Sequence, residues 1–164
     1  MKPHFRRFDL RLAHNWMVAS SQRSGGKSVY PAVLVELRDK NGVIGYGEAA
    51  PSLRYRETAQ TCVEFLSRVD AGRLSFEDVS GSMRQVESLS RGNFSPKGAL
   101  NIALLDGAAK RRGQPLSEFL GLSFAEGKHV SSITIGLDSP SMTRQKVREA
   151  GSVPHIKAQG QLAA

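Results

Sequence analysis

The sequence predicts an α+β domain followed by the opening strand–helix–strand unit of a parallel α/β fold, and three observations carry that expectation. In the first half, three short runs alternate apolar and polar residues with period two between turn residues, as an antiparallel meander does. The middle changes to helical spacing, with serine and proline at the starts and glycine at the stops. From Ser131 onward a strand pattern, a helical pattern and a second strand pattern follow in βαβ order.

Phe5 to Ala13 is the first expected strand, with Phe8, Leu10 and Leu12 on one face. Ser20 to Ser28 is a polar, glycine-containing loop, too long for a tight hairpin. Val29 to Arg38 is the second strand, with Val33, Val35 and Leu37 facing one way. Asp39-Lys-Asn-Gly42 predicts a hairpin turn in which Asn-Gly supplies the positive φ angles, and Val43 to Glu48 returns as the third strand. Such a sheet needs something packed on one face.

Helices supply that layer. Thr58 to Val69 sets Cys62, Phe65, Leu66 and Val69 on one stripe. Phe76 to Leu89 is a weaker helix, for which Ser75 as N-cap and Asp78 three residues later predict a capping box. Ser95-Pro96 predicts the start of the strongest helix, serine at the cap and proline in the first turn, running to Arg112 and stopping at Gly113. Pro115 opens a short helix, Leu116 to Leu120, closed by Gly121. The last quarter places strands at Ser132–Leu137 and His155–Ala158 around a helix at Pro140–Ala150.

Composition narrows the function classes. With 164 residues and 40% hydrophobic content, the chain has the makings of a globular domain and a little more. The net charge of +8 raises nucleic-acid binding, but the basic residues are dispersed, as at Arg6, Arg38, Lys97 and Arg148. Their one cluster, Lys110-Arg-Arg112, ends a helix, where cations complement exposed carbonyls. Neither nucleic acid nor membrane is therefore an expected partner. No apolar run reaches the ~20 residues of a membrane helix, and the N-terminus lacks the apolar core of a secretory signal. The lone Cys62 fits a reducing compartment and reads as a core residue, so a cytoplasmic location is expected.

Little in the pattern points to metal: His4, His14, His129 and His155 show no paired ligand spacing. His14 and Trp16 read as packing residues. No phosphate-binding glycine loop or nucleophile elbow is present. Gly45-Tyr-Gly-Glu-Ala-Ala-Pro51 ends the third strand, where glycines let the chain bend, and Ala49 to Arg56 would form a presented loop. Arg54, Tyr55 and Arg56 suit an anionic ligand, because guanidinium groups bind carboxylates in a two-pronged fashion. Arg23 and Lys27 occupy the long loop. Lys157 lies near the C-terminal end of a parallel strand, the edge where α/β barrels carry catalytic groups, and a lysine there becomes a base when its pKa is depressed.

The segments together resemble the enolase superfamily, in its muconate-lactonizing-enzyme-like branch. The carriers are Gly45–Pro51, Ala99-Leu-Asn-Ile-Ala-Leu-Leu-Asp-Gly-Ala-Ala-Lys110, Gly113-Gln-Pro-Leu116 with Phe119-Leu-Gly121, Ile133-Thr-Ile-Gly136 and Val153-Pro-His-Ile-Lys157. Within the branch, Leu12-Ala-His-Asn-Trp16 and Arg54-Tyr-Arg-Glu-Thr58 look most like dipeptide epimerases. The resemblance implies an α+β capping domain, a three-stranded antiparallel meander plus helix bundle, over residues 1–125. It further implies the first βαβ of a truncated (β/α) barrel over residues 126–164.

The resemblance also implies an activity: abstraction of the proton α to a carboxylate, with Mg²⁺ holding the enolate in the full-length parent. Its substrate would be a small dipeptide, and a homo-oligomer is an assembly it leaves open. Carried over by position, Arg23 meets a substrate carboxylate, Thr134 lines the substrate site, and Lys157 is the first lysine of a Lys-x-Lys pair. The second falls at Gln159, which cannot exchange a proton near neutral pH, and the metal carboxylates belong to later strands. The chain is therefore expected to be an inactive fragment that binds no metal, with loss of pattern after Lys157 suggesting a frameshift or truncated gene. The alternatives are a muconate cycloisomerase or o-succinylbenzoate synthase relative, and a non-catalytic binding or oligomerisation module.

Overall fold

The computed structural model describes residues 1–18, 25–123, 125–151 and 155–158. It has two compact units, Met1–Leu10 with Pro31–Ser123, and Arg11–Tyr30 with Phe124–Ala164. Three strands, β1 (Lys2–Trp16), β2 (Lys27–Arg38) and β3 (Ile44–Ala49), form a sheet in that order. β2 and β3 are antiparallel, in register from Val33 opposite Ala49 to Arg38 opposite Ile44. Val33, Val35 and Leu37 are fully buried, as their alternation predicts.

Four helices follow: α1 (Ala59–Leu66), α2 (Val79–Ser88), α3 (Phe94–Arg111) and α4 (Leu116–Phe119). Cys62, Phe65 and Leu66 of α1, Val86 of α2, and Ala99, Leu100, Ala103 and Leu104 of α3 join the three β2 residues in one core. Thr58 caps α1 through a reciprocal exchange with Thr61, so the expected start of that helix holds. No described helix is long and apolar enough to cross a membrane.

The contact that fixes the layers lies between β3 and α3. Gly45 and Gly47 sit on the buried face of β3. A Cβ added to Gly45 would lie 2.0 Å from the Ala103 carbonyl oxygen, and one on Gly47 would lie 2.0 Å from that of Ala99. Neither glycine has positive φ. Their purpose is therefore close backbone approach, not the bend expected from the sequence. The helix also covers the open edge of β3: Tyr46 N–H donates to Asp106 Oδ2 at 2.8 Å, and Lys110 Nζ donates to the Ile44 carbonyl at 3.1 Å. Lys110 closes the arrangement with Asp106 at 2.6 Å, one helical turn away. Edge-strand groups that would otherwise seek another chain are thus satisfied by side chains.

Several local expectations need correction. On β1 the residue against the core is Phe5, while Phe8, Leu10 and Leu12 fall on the opposite face, with Leu10 47% exposed. The hairpin takes positive φ at Gly42 alone. Asn41 is spared because the Asp39 carboxylate accepts its N–H and that of Val43, both at 2.9 Å. α2 is capped by Asp78, which accepts the Gly81 N–H at 2.7 Å; Ser75 accepts from Glu77 instead. Gly81 permits this, since a Cβ there would collide with the Asp78 carboxylate.

α3 begins at Phe94, not at a Ser95 cap. Asn93 precedes it in the left-handed region and makes no side-chain cap bond. The basic cluster at the end of α3 engages specific partners rather than helix carbonyls alone. Arg111 reaches Asp39 at 3.0 Å and Glu77 at 2.6 Å, and Arg112 lies 5.0 Å over the Phe119 ring.

Alanine at Gly47 should destabilise the fold by about 1–3 kcal/mol, the usual cost of overpacking. Alanine at Gly98, where an added Cβ meets nothing within 4 Å inside α3, should stabilise it by about 0.4–1 kcal/mol. Urea midpoints of the two variants should move in opposite directions.

Burial, then the charge of Glu57, pushes the Cys62 thiol up to about 11. The folded protein should thus resist a disulfide-exchange thiol reagent at pH 8, at roughly one-hundredth the rate of the urea-unfolded chain or slower.

Candidate functional site

In the second unit, β4 (Ser132–Ile135), α5 (Pro140–Glu149) and β5 (His155–Ala158) form the expected parallel βαβ arrangement. Ser139 caps α5 by accepting the Met142 N–H at 3.3 Å, with Pro140 as the first helical residue. The register sets Thr134 directly opposite Lys157. Residues opposite one another on paired strands project to the same face, so two of the expected site residues become neighbours. Thr134 is half-buried and Lys157 exposed.

A cavity of about 190 Å³ opens beside β4, lined among others by His14, Trp16, Thr134, Ile135, Lys146 and Glu149. Ile135 is 4% exposed, whereas Ile133 and Val147 remain open at 39% and 41%. Two residues past the end of β4, Leu137 N–H donates to the Met17 carbonyl at 2.7 Å. Gly136 allows the approach: a Cβ there would stand 2.9 Å from that carbonyl oxygen.

Charged pairs furnish the polar part of this unit. Lys146, 8% exposed, donates to Asp138 Oδ2 at 3.0 Å. His14 Nε2 lies 2.5 Å from Glu149 Oε2, so His14 is a hydrogen-bond partner of α5 as well as a packing residue. The Lys146 hydrogen bond, aided by the Ser139 N–H, holds the Asp138 carboxyl below its usual range. Hydrogen bonds from Gln145 and His14 do the same for Glu149.

The first unit presents the Arg54–Tyr55 segment on a short 3₁₀ turn, Leu53–Tyr55, followed by Arg56 at φ 57°. Arg54 is exposed, and Leu53, Tyr55 and Phe94 are 67%, 56% and 62% exposed. The Tyr55 and Phe94 rings meet edge to face, 5.5 Å between centroids. Beneath them Glu57 is 6% exposed, and its carboxylate accepts the Ser95 N–H at 3.2 Å.

Arg54 and Tyr55 thus share one turn, and Thr134 and Lys157 one face of a strand pair. Arg23 and Gln159 lie outside the described residues. Glu57 and Phe94 were not singled out from the sequence. Glu57 directly precedes the cap of α1, yet it serves α3 across 38 residues of chain, a pairing no local pattern announces. Among the described residues no three His, Cys, Asp or Glu side chains are grouped to hold a metal ion. Mg²⁺ requires a nearly octahedral set of oxygen donors, so the described residues do not fit it.

A meander-and-helix domain leading into a parallel βαβ, with a threonine and a lysine side by side on its strands, defines a class. The chain belongs to the family of the mandelate racemase / muconate lactonizing enzyme N-terminal domain, which matches residues 11–121, and so to the enolase superfamily. It is 46% identical over 149 residues to the L-Ala-D/L-amino acid epimerase of Pedosphaera parvula, covering 91% of this chain and 43% of that protein. Over 160 residues it is 33% identical to the L-Ala-D/L-Glu epimerase of Bacteroides thetaiotaomicron, covering 95% and 39%.

Among solved structures, the dipeptide epimerase of Cytophaga hutchinsonii, complexed with Mg and D-Ala-L-Val, superposes with a TM-score of 0.79 at 25% identity, covering 96% of this chain and 44% of that one. The substrate-liganded L-Ala-D/L-Glu epimerase of Bacillus subtilis shares the fold, with a TM-score of 0.83 at 21% identity, covering 97% and 44%. This chain spans about two fifths of the length of the curated relatives above.

The Asp138 and Glu149 carboxyls titrate below their ordinary values of 3.8 and 4.5. Their contribution to stability is complete above those ordinary values and is lost as pH falls through the depressed ones. The difference in thermal midpoint between the native chain and Glu149→Gln should therefore be constant near neutrality and vanish in strong acid.

Proposed function

We propose that this chain is the capping domain, residues 1–125, and the start of the barrel, residues 126–164, of a Mg²⁺-dependent dipeptide epimerase. The observation that carries the reading is the 46% identity to the L-Ala-D/L-amino acid epimerase over 149 residues. The pairing of Thr134 with Lys157 supports it, because it sets a group that can orient a substrate beside the cation at the first position of a Lys-x-Lys strand.

In this reading Lys157 stands at the first position of the Lys-x-Lys pair and Thr134 lines the substrate. Arg54 and Arg23 take a substrate carboxylate through charge-assisted hydrogen bonds, while Tyr55 gives the backbone of the dipeptide an aromatic wall. Gln159 offers an amide where a proton-exchanging amine is needed. Because a glutamine at that position cannot exchange a proton near neutral pH, the 164-residue chain by itself does not epimerise a dipeptide. In an assembled enzyme Mg²⁺ would supply positive charge to stabilise developing negative charge on the substrate. The setting is cytoplasmic, the partner a dipeptide or a second copy of the chain, and neither nucleic acid nor membrane is engaged.

The test is to incubate the purified chain with L-Ala-L-Glu and Mg²⁺ in D₂O and follow both partners by NMR. The expected result is no deuterium at the glutamate α-carbon, with shifted signals from Arg54, Tyr55 and Thr134. Arg54→Ala should weaken binding about tenfold, the worth of one hydrogen bond to a charged group. Deuterium incorporation would overturn the inactivity of the chain, and unmoved protein signals would overturn the substrate assignment.

A further inference from the structure

We propose that Glu57 is the positioning residue of the Arg54–Tyr55 turn: its buried carboxylate, bound to the start of α3, fixes the direction in which those two side chains are presented. The inference rests on the reading that the turn meets substrate.

Glu57 holds the turn from both ends. Its own N–H donates to the Ser52 carbonyl at 3.1 Å, closing the base of the segment that also contains the Tyr55 to Ser52 and Arg56 to Leu53 bonds, at 2.9 and 3.0 Å. Its carboxylate oxygens then lie 3.2 and 3.4 Å from the Ser95 nitrogen. Ser95 follows Phe94, whose ring meets Tyr55. One side chain therefore ties the base of the turn to the helix residue next to the aromatic contact.

The physical reason for an acid here is the exposed N–H groups of α3. Four such groups have no partner within a helix, and they carry partial positive charge. Asn93 stands at the cap position without making a side-chain cap bond, so the duty passes to Glu57. A 6% exposed carboxylate without such a donor would carry a large desolvation penalty. The turn is consequently held where the helix start requires it. Thr58, immediately afterwards, caps α1, so the chain on the other side of Glu57 is anchored as well.

Three variants of the full chain, studied by NMR without substrate, test this. Glu57→Asp withdraws the carboxylate by one methylene, and Glu57→Gln keeps an oxygen acceptor at the original reach. In the aspartate variant, exchange of the Tyr55 and Arg56 amides should rise about tenfold or more, as expected for loss of a charged hydrogen bond. The Tyr55–Phe94 ring contact should disappear, while the α3 core amides of Leu100 and Leu104 keep their protection. The glutamine variant should recover most of the protection at the turn. Phe94→Ala leaves the carboxylate in place and should leave exchange at the turn near the native rate.

The proposal is overturned if the aspartate variant leaves the turn unchanged or loosens the core amides to the same degree. It is equally overturned if Phe94→Ala alone frees the turn. Because no dipeptide is present, failure here stands apart from failure of the substrate assignment, which the titration with L-Ala-L-Glu decides.

Discussion

The backbone of α3 rests on the backbone of β3, and the rest of the first unit is arranged around that approach. Only residues without a Cβ can stand at Gly45 and Gly47, where the helix carbonyls of Ala99 and Ala103 occupy the space a side chain would take. The helix answers with small residues of its own. Gly107 accepts the Phe76 ring where a Cβ would stand 2.2 Å from it. Such a narrow interface leaves the larger side chains, Leu100 and Leu104, free to fill the core with Val33, Val35 and Leu37.

Close approach has a second effect. It brings Asp106 and Lys110 within reach of the open edge of β3, so a donor and an acceptor that face no neighbouring strand are bonded by a helix instead. The Lys110 ammonium also lies 4.7 Å over the Tyr46 ring. The same principle operates at the opposite end of α3, where Glu57 receives the Ser95 N–H. Both ends of the longest helix are thus engaged by chain that is distant in sequence. The turn bearing Arg54 and Tyr55 inherits its position from that engagement.

Part of the charge in this protein is engaged in structural pairs. Arg111 binds two carboxylates, Lys97 is buried between Glu87 and the Ser90 carbonyl, and Lys146 is paired with Asp138. Several of the cations behind the net charge of +8 are therefore structural partners.

Periodicity and punctuation in the sequence determined the order of elements, the buried stripe of β2, the apolar face of α1 and the final βαβ, because those signals are local. Family resemblance in quoted segments extended that reading to the enolase superfamily. Tertiary structure alone decided which face of β1 meets the core, since Phe5 and Phe8 have the same chemistry and differ only in which neighbours they reach. It decided the caps of α2 and α3 for a like reason: Ser75, Asp78 and Ser95 are all plausible caps locally, and the choice depended on Gly81 and on Glu57 across 38 residues. In the candidate site, Lys157 and Thr134 were legible one by one. Their adjacency is a matter of strand register, which only the paired backbone fixes.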